Sequence, residues 1–306
     1  MLIRSRYDSW VDSMSHNGMT HYRSADIDGI DIAYREAGPG DGPVVLLLHG
    51  FPTSSRMFRN LIPQLSDTYR VIAPDYPGFG HSGAPDRTKF NYTFDNLADI
   101  VDKLLDRLNV GAFTPYVMDF GGPVGYRLAL KYPERLSALV MQNAPLYPGA
   151  PEGWWATLGR YWQDGSSEHR KESRSYLTAE STRDQYLYGV KDPSLVDPDN
   201  WIVDVALMQR VGVDEIMLDL LYDIRTNMPT FSAMRELIRS RRPPTLVATG
   251  VNDEIFPGDG ARNILDDLPG AEFHAVDSGH FALEDKGTEI GGLMRDFLDR
   301  TVARVS

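Results

Sequence analysis

Residues 116–125 read Tyr-Val-Met-Asp-Phe-Gly-Gly-Pro-Val-Gly, and the reading of this stretch decides the fold. The residues from Phe113 to Met118 have the apolar character of a buried strand, and those from Phe120 to Lys131 carry helical spacing. A strand that turns this abruptly into a helix needs small residues after the central one, here Gly121 and Gly122. The Asp119 side chain is then held out at the tip of a sheet, beside a helix N-terminus. An aspartate in that place suits two different jobs. It can cap the helix, or it can present a carboxylate nucleophile, and the local motif alone leaves both open.

Working outward, strands and helices alternate. Pro43–Leu48 (PVVLLL) is apolar at every position, as a strand buried on both faces of a parallel sheet would be, and Arg70–Pro74 (RVIAP) resembles it. Arg56–Leu65 between them has helical spacing, and Thr93–Leu108 places Leu97, Ile100, Val101, Leu104, Leu105 and Leu108 on one helical face. Ser137–Gln142 reads as another short buried strand. Upstream, Asp28-Gly29 between two short β-like runs predicts a hairpin. The fold class is therefore α/β, a mostly parallel sheet with helices on both faces.

From about Ala144 to Arg242 the rhythm stops. This stretch is helical, shows no clear strand and holds Trp154, Trp155, Trp162 and Trp201. Alternation resumes with strands at Pro244–Gly250 and Ala271–Val276 and ends on a helix over Glu289–Val305. The expected organisation is a leader over 1–20, one core made of 21–144 and 243–306, and a helical insertion over 145–242, after the sixth strand.

Composition narrows the classes of function. The 31 Lys and Arg residues against 43 Asp and Glu give a formal net charge of −12, which repels phosphate backbones and anionic lipid. No nucleic-acid or membrane partner is expected. There is no cysteine, which excludes disulfides, a catalytic thiol and a thiolate metal site. No apolar run approaches the roughly 20 residues of a membrane-spanning helix, and the N-terminus lacks the apolar core of a signal peptide. A cytoplasmic protein is the default expectation, with no metal and no cofactor.

Two further loops bear on Asp119. Val276-Asp-Ser-Gly-His280-Phe follows the last strand, where a base reaches back over the same sheet edge. Gly250-Val-Asn-Asp253 follows the strand before it and offers a carboxylate to orient an imidazole. Of the other histidines, His16, His21 and His169 read as surface positions, His274 lies in a strand, and His49 and His81 sit in glycine-containing loops with structural roles. Together the loops give the order nucleophile, acid, histidine at strand ends. His49-Gly-Phe51-Pro adds backbone N–H groups, so that the amides of Phe51 and Phe120 are placed to form an oxyanion hole.

These segments resemble α/β-hydrolase-fold proteins of the epoxide hydrolase and haloalkane dehalogenase group. The resemblance is carried by HGFP (49–52), PDYPGFGHS (74–82), VMDFGGPVG (117–125), GVNDEIF (250–256) and DSGHFALE (277–284), which span nearly the whole chain outside the insertion. It implies a helical cap over the site, with Asp119 as nucleophile, Asp253 as acid and His280 as base. In some members the acid comes from the loop after the sixth strand. Here that loop reads Gln-Asn143-Ala, without a carboxylate, and the role stays with Asp253.

A carboxylate is already ionised at neutral pH and displaces a leaving group from a saturated carbon, after which a His-activated water hydrolyses the alkyl ester. Attack on an ordinary ester would give a mixed anhydride, so esterase chemistry fits poorly. The expected partners are a small, largely apolar epoxide or alkyl halide and water. Epoxide opening requires a proton donor, which the resemblance assigns to cap tyrosines, here Tyr161 and Tyr222, although Leu158 and Ile224 also match those two positions. Against a halide, Phe51 and Phe120 stand where dehalogenases of the group carry side-chain donors. Epoxide hydrolysis to a diol is the leading expectation, with haloalkane dehalogenation or ligand binding without catalysis as alternatives. Oligomeric state is left open.

Overall fold

The computed structural model describes residues 18–147, 149 and 152–302. The expected leader, apart from 18–20, lies outside the described residues, as do His16 and the last three residues of the terminal helix expected to reach Val305.

Eight strands form one sheet: β1 (His21–Ile27), β2 (Ile30–Ala37), β3 (Val44–Leu48), β4 (Arg70–Pro74), β5 (Phe113–Val117), β6 (Leu139–Met141), β7 (Thr245–Gly250) and β8 (Glu272–Val276). Their spatial order is β1-β2-β4-β3-β5-β6-β7-β8. The β1–β2 and β2–β4 pairs are antiparallel and the remaining pairs parallel. The first hairpin turns at Asp28 and Gly29, both at positive φ as a tight two-residue connection demands.

The unbroken apolar run of β3 is explained by its two partners. Leu46 and Leu48 pack into one cluster with Leu97, Ile100 and Leu104 of helix α1 (Phe94–Arg107). Val45 and Leu47 face the other side, with Ile290, Met294 and Phe297 of the C-terminal helix, Leu283–Thr301. That last helix begins six residues before the expected Glu289 and bends at Lys286, whose φ of −120° interrupts it beside Gly287. The expected helix over Arg56–Leu65 is instead two short pieces, a 3₁₀ turn at Ser55–Phe58 and a single turn at Ile62–Leu65 with Pro63 in its first turn.

Helix α2 (Gly121–Lys131) follows β5. Between β6 and β7 the chain is helical, as expected: α3 (Ala156–Asp164), α4 (Ser167–Glu172), α5 (Ala179–Leu187), α6 (Asp199–Met208), α7 (Val213–Asp223) and α8 (Met228–Arg241). The Leu283–Thr301 helix is α9. The insertion is fastened to the core at defined points. Asp223 at the end of α7 accepts the Phe94 backbone N–H at 2.8 Å, and Trp155 Nε1 donates to the Ile255 carbonyl at 2.8 Å. Among the described residues, no helix is long and apolar enough to cross a membrane.

Candidate active site

The elbow at Asp119 is built by close approach. Asp119 has φ 49°, in the left-handed region. Its N–H donates to the Asn143 carbonyl at 3.1 Å, and its own carbonyl accepts from Gly122 N at 2.9 Å. A Cβ on Gly121 would run into the Leu48 carbonyl oxygen, and one on Gly50 would lie 2.6 Å from Asp119 Oδ1. Both positions therefore have room only for glycine.

Asp119 does not cap the helix. Helix α2 starts at Gly121 with Phe120 in the cap position and no side-chain cap bond. The Asp119 carboxylate instead turns toward the loop after β3, where Oδ1 accepts the Phe51 N–H at 2.6 Å. Burial raises its pKa to about 6, against the pull of His280 and of the Phe51 and Phe120 amides. The two amides expected to form an oxyanion hole thus act on the carboxyl group of Asp119.

His280 lies in the loop between β8 and α9, and its Nδ1 meets Asp253 Oδ2 at 2.8 Å. A carboxylate there holds the proton on Nδ1, which leaves Nε2 the lone-pair nitrogen of the neutral ring. That Nε2 is buried and has no hydrogen-bond partner. Burial works to lower the His280 pKa, but Asp253 and then Asp119 outweigh it and leave it above its ordinary value. For Asp253, burial works upward, while His280, the Ile255 N–H at 2.7 Å and the Asn143 amide hold the carboxyl below its usual range. The structure thus brings Asp119, Asp253, His280, Phe51 and Phe120 to one sheet edge.

Asn143 is the participant that sequence reasoning missed. Its Nδ2 donates to Asp253 Oδ2 at 2.8 Å and to the Gly250 carbonyl at 3.0 Å, while Oδ1 accepts from Gly250 N and Gln142 Nε2. With its backbone carbonyl on Asp119 N, it ties the elbow to the acid loop. The signal was its place after β6 at the same edge, read only for the absence of a carboxylate. His49 has the structural role expected of it. Burial pushes its pKa down to about 4, Nδ1 donates to the Gly50 carbonyl, and Nε2 accepts from Tyr76 N.

A cavity of about 1030 Å³ opens over Asp119 and Phe120, walled on the insertion side by Trp154, Trp155, Trp162, Ile224 and Asn227. Trp155 and Trp162 spend their indole N–H groups on the carbonyls of Ile255 and Leu221. Tyr161 and Tyr222 lie together, ring centroids 4.5 Å apart, with Arg170 donating to the Tyr161 hydroxyl at 2.8 Å. Neither is among the residues lining this cavity, whereas Ile224, the other residue matching the second tyrosine position, is. Tyr147, the one lining tyrosine among the described residues, donates its hydroxyl to Asp267 at 2.6 Å.

Residues 43–168 match the family described as the alpha/beta hydrolase fold. An uncharacterized hydrolase of Saccharomyces cerevisiae is 42% identical over 261 residues, covering 84% of this chain and 89% of that protein. A cis-3-alkyl-4-alkyloxetan-2-one decarboxylase of Xanthomonas campestris is 31% identical, covering 89% and 93%. A haloalkane dehalogenase of Psychrobacter cryohalolentis is 33% identical, covering 97% and 98%. Among solved structures, a haloalkane dehalogenase from Bradyrhizobium elkani superimposes with a TM-score of 0.77 at 22% identity, covering 93% of this chain and 99% of that one. An epoxide hydrolase from Vigna radiata gives 0.72 at 23%, covering 94% and 99%. At such identities these two show likeness of fold. The sheet order, the elbow and the extent of the 42% identity together place the chain in the alpha/beta hydrolase fold family, as a hydrolase of that fold.

Proposed function

We propose that this hydrolase works through a covalent ester on Asp119, which His280 and Asp253 then hydrolyse. One observation carries this: the amides of Phe51 and Phe120 act on the carboxyl group of a buried aspartate at the elbow. A carboxylate oxygen of Asp119 attacks a saturated carbon, a C–O bond forms as the bond to the leaving atom breaks, and the leaving atom keeps the electron pair. Neutral His280 takes a proton from water at Nε2 while the hydroxyl adds to the ester carbonyl carbon. The Phe51 and Phe120 N–H groups hold the resulting oxyanion. Collapse expels the substrate oxygen, which takes the proton from His280, and leaves an Asp119 carboxyl that ionises again. Asp253 keeps the imidazole oriented throughout. Residues 21–144 and 243–306 are the catalytic core, and 145–242 is a cap that keeps bulk water from the ester. The substrate is small and largely apolar, and the chemistry needs no cofactor.

For the leaving group we favour an epoxide oxygen. Phe51 and Phe120 offer a halide no side-chain donor, and the indoles of Trp155 and Trp162 are committed to backbone carbonyls. The cap tyrosines expected to supply the proton, Tyr161 and Tyr222, are not among the residues lining the cavity, and neither is assigned that role. Halide displacement is the second reading. It is favoured by the 33% identity to a dehalogenase over nearly that protein's full length, and by the place of both tyrosines behind the cavity wall. A panel of small epoxides and haloalkanes, scored for diol and for released halide, decides between them. Intact-mass analysis of the His280→Gln variant tests the ester itself. An adduct on Asp119 is expected, and its absence with every compound would leave ligand binding as the function.

A further inference from the structure

The cavity wall holds a donor that neither loop motif nor resemblance pointed to. Asn227 closes the single turn Ile224–Asn227 between α7 and α8 and is fully buried. Its Oδ1 accepts from Arg127 Nη1 at 2.8 Å. Arginine only donates, so the oxygen must face Arg127 and the NH₂ group must point the other way. That Nδ2 is buried without a hydrogen-bond partner. Asn227 lines the same cavity as Asp119, Phe94, Phe120 and Pro123. Burying an amide N–H with no acceptor is costly, and such groups are rare unless something binds them.

Arg127 explains how the amide keeps its aim. It lies on α2, the helix that follows the elbow, and binds the Pro123 carbonyl at 3.1 Å and Asp95 at 2.6 Å as well as Asn227. The orientation of a cap residue is thus set by the helix that follows the nucleophile. We infer that the Asn227 amide is the hydrogen-bond donor to the leaving atom while Asp119 is alkylated, a place that Tyr161 and Tyr222 do not occupy. This rests on the Asp119 ester reading. The amide keeps its protons. The electron pair of the broken bond stays on the leaving atom, steadied by the Nδ2–H, and an epoxide oxygen then takes its proton from water.

The test isolates alkylation in the His280→Gln background, following adduct mass against time with styrene oxide, 1-bromobutane and 1-iodobutane. Asn227→Leu removes the donor, and Asn227→Asp keeps an oxygen for Arg127 while removing the N–H, so the second decides if the first fails to fold. Adduct formation from styrene oxide should slow about 10²–10³-fold, the usual effect of losing one positioned donor. The loss should be smallest with 1-iodobutane, whose leaving atom accepts hydrogen bonds weakly; a merely structural role would slow all three alike. Tyr161→Phe and Tyr222→Phe should leave the rates within a few-fold. An adduct formed equally fast with and without the Asn227 donor overturns this inference and leaves the ester intact. A slowing equal for all three compounds also overturns it. Absence of adduct in His280→Gln itself overturns the ester reading, and this inference with it.

Discussion

Asn143 Nδ2 and His280 Nδ1 meet the same oxygen, Asp253 Oδ2, each at 2.8 Å. The other Asp253 oxygen is taken by the Ile255 N–H, so the acid is held on both sides before the histidine is considered. Replacing Asn143 with Leu strands the Gly250 N–H and removes one Asp253 donor. We expect a stability loss of about 1–3 kcal/mol, read by denaturant unfolding. Breakdown of the ester should slow while its formation changes little, which single-turnover kinetics separates.

The proposed attack requires Asp119 to be ionised. With its pKa at about 6, the rate of ester formation should rise tenfold per pH unit below pH 6 and level off above it. His280 behaves differently in the two half-reactions. The Asp119 charge helps to hold its pKa up, and esterification removes that charge. The acid limb for ester breakdown should therefore lie below the His280 pKa of the free enzyme, measurable by NMR titration against pre-steady-state rates.

The same burial carries a stability cost. The folded pKa of Asp119, about 6, exceeds the ordinary aspartate value of about 3.9. Its contribution to stability is complete below the unfolded value and is lost as pH rises through 6. Asp119→Asn should therefore be more stable than the parent at pH 7–8, by about 1–3 kcal/mol, and indistinguishable from it near pH 3.5. Thermal melts at both pH values check the sign.

Gly50→Ala should fold and fail. The new methyl group would crowd Asp119 Cβ and lie 2.6 Å from its Oδ1, so the whole Asp119 side chain, with the elbow that carries it, must shift. A displacement near 1 Å at a reacting atom costs on the order of 10² in rate. Gly121→Ala meets backbone, the Leu48 carbonyl, which cannot swing aside; there the expected readout is a lowered melting temperature.

The positions of the core strands along the chain and the helical interruption were legible because burial on two faces writes itself as unbroken apolar runs, and a helical insertion does not. Asp119, Asp253 and His280 were legible because strand ends bring distant loops to one edge. Asn143 and Asn227 were not. Each acts through an amide whose value depends on what faces its two ends, and no spacing encodes that. The resemblance pointed to Tyr161 and Tyr222, with Ile224 matching the second position equally well, and it is Ile224 that stands on the cavity wall. Helix α9 starts before the expected Glu289 because the chain bends at Lys286, beside Gly287, and stays helical on both sides.

The Phe51 and Phe120 amides serve the carboxyl group of the protein, and this has a stereochemical consequence. On the proposed ester route the oxyanion they hold forms on Asp119, so water would add there and never at the substrate carbon. That carbon is attacked once, from the side of Asp119, and its configuration inverts. A racemic substrate whose two hands are attacked at different carbons would then converge on a single enantiomer of product, a result fixed by which carbon meets Asp119 rather than by how fast either hand reacts.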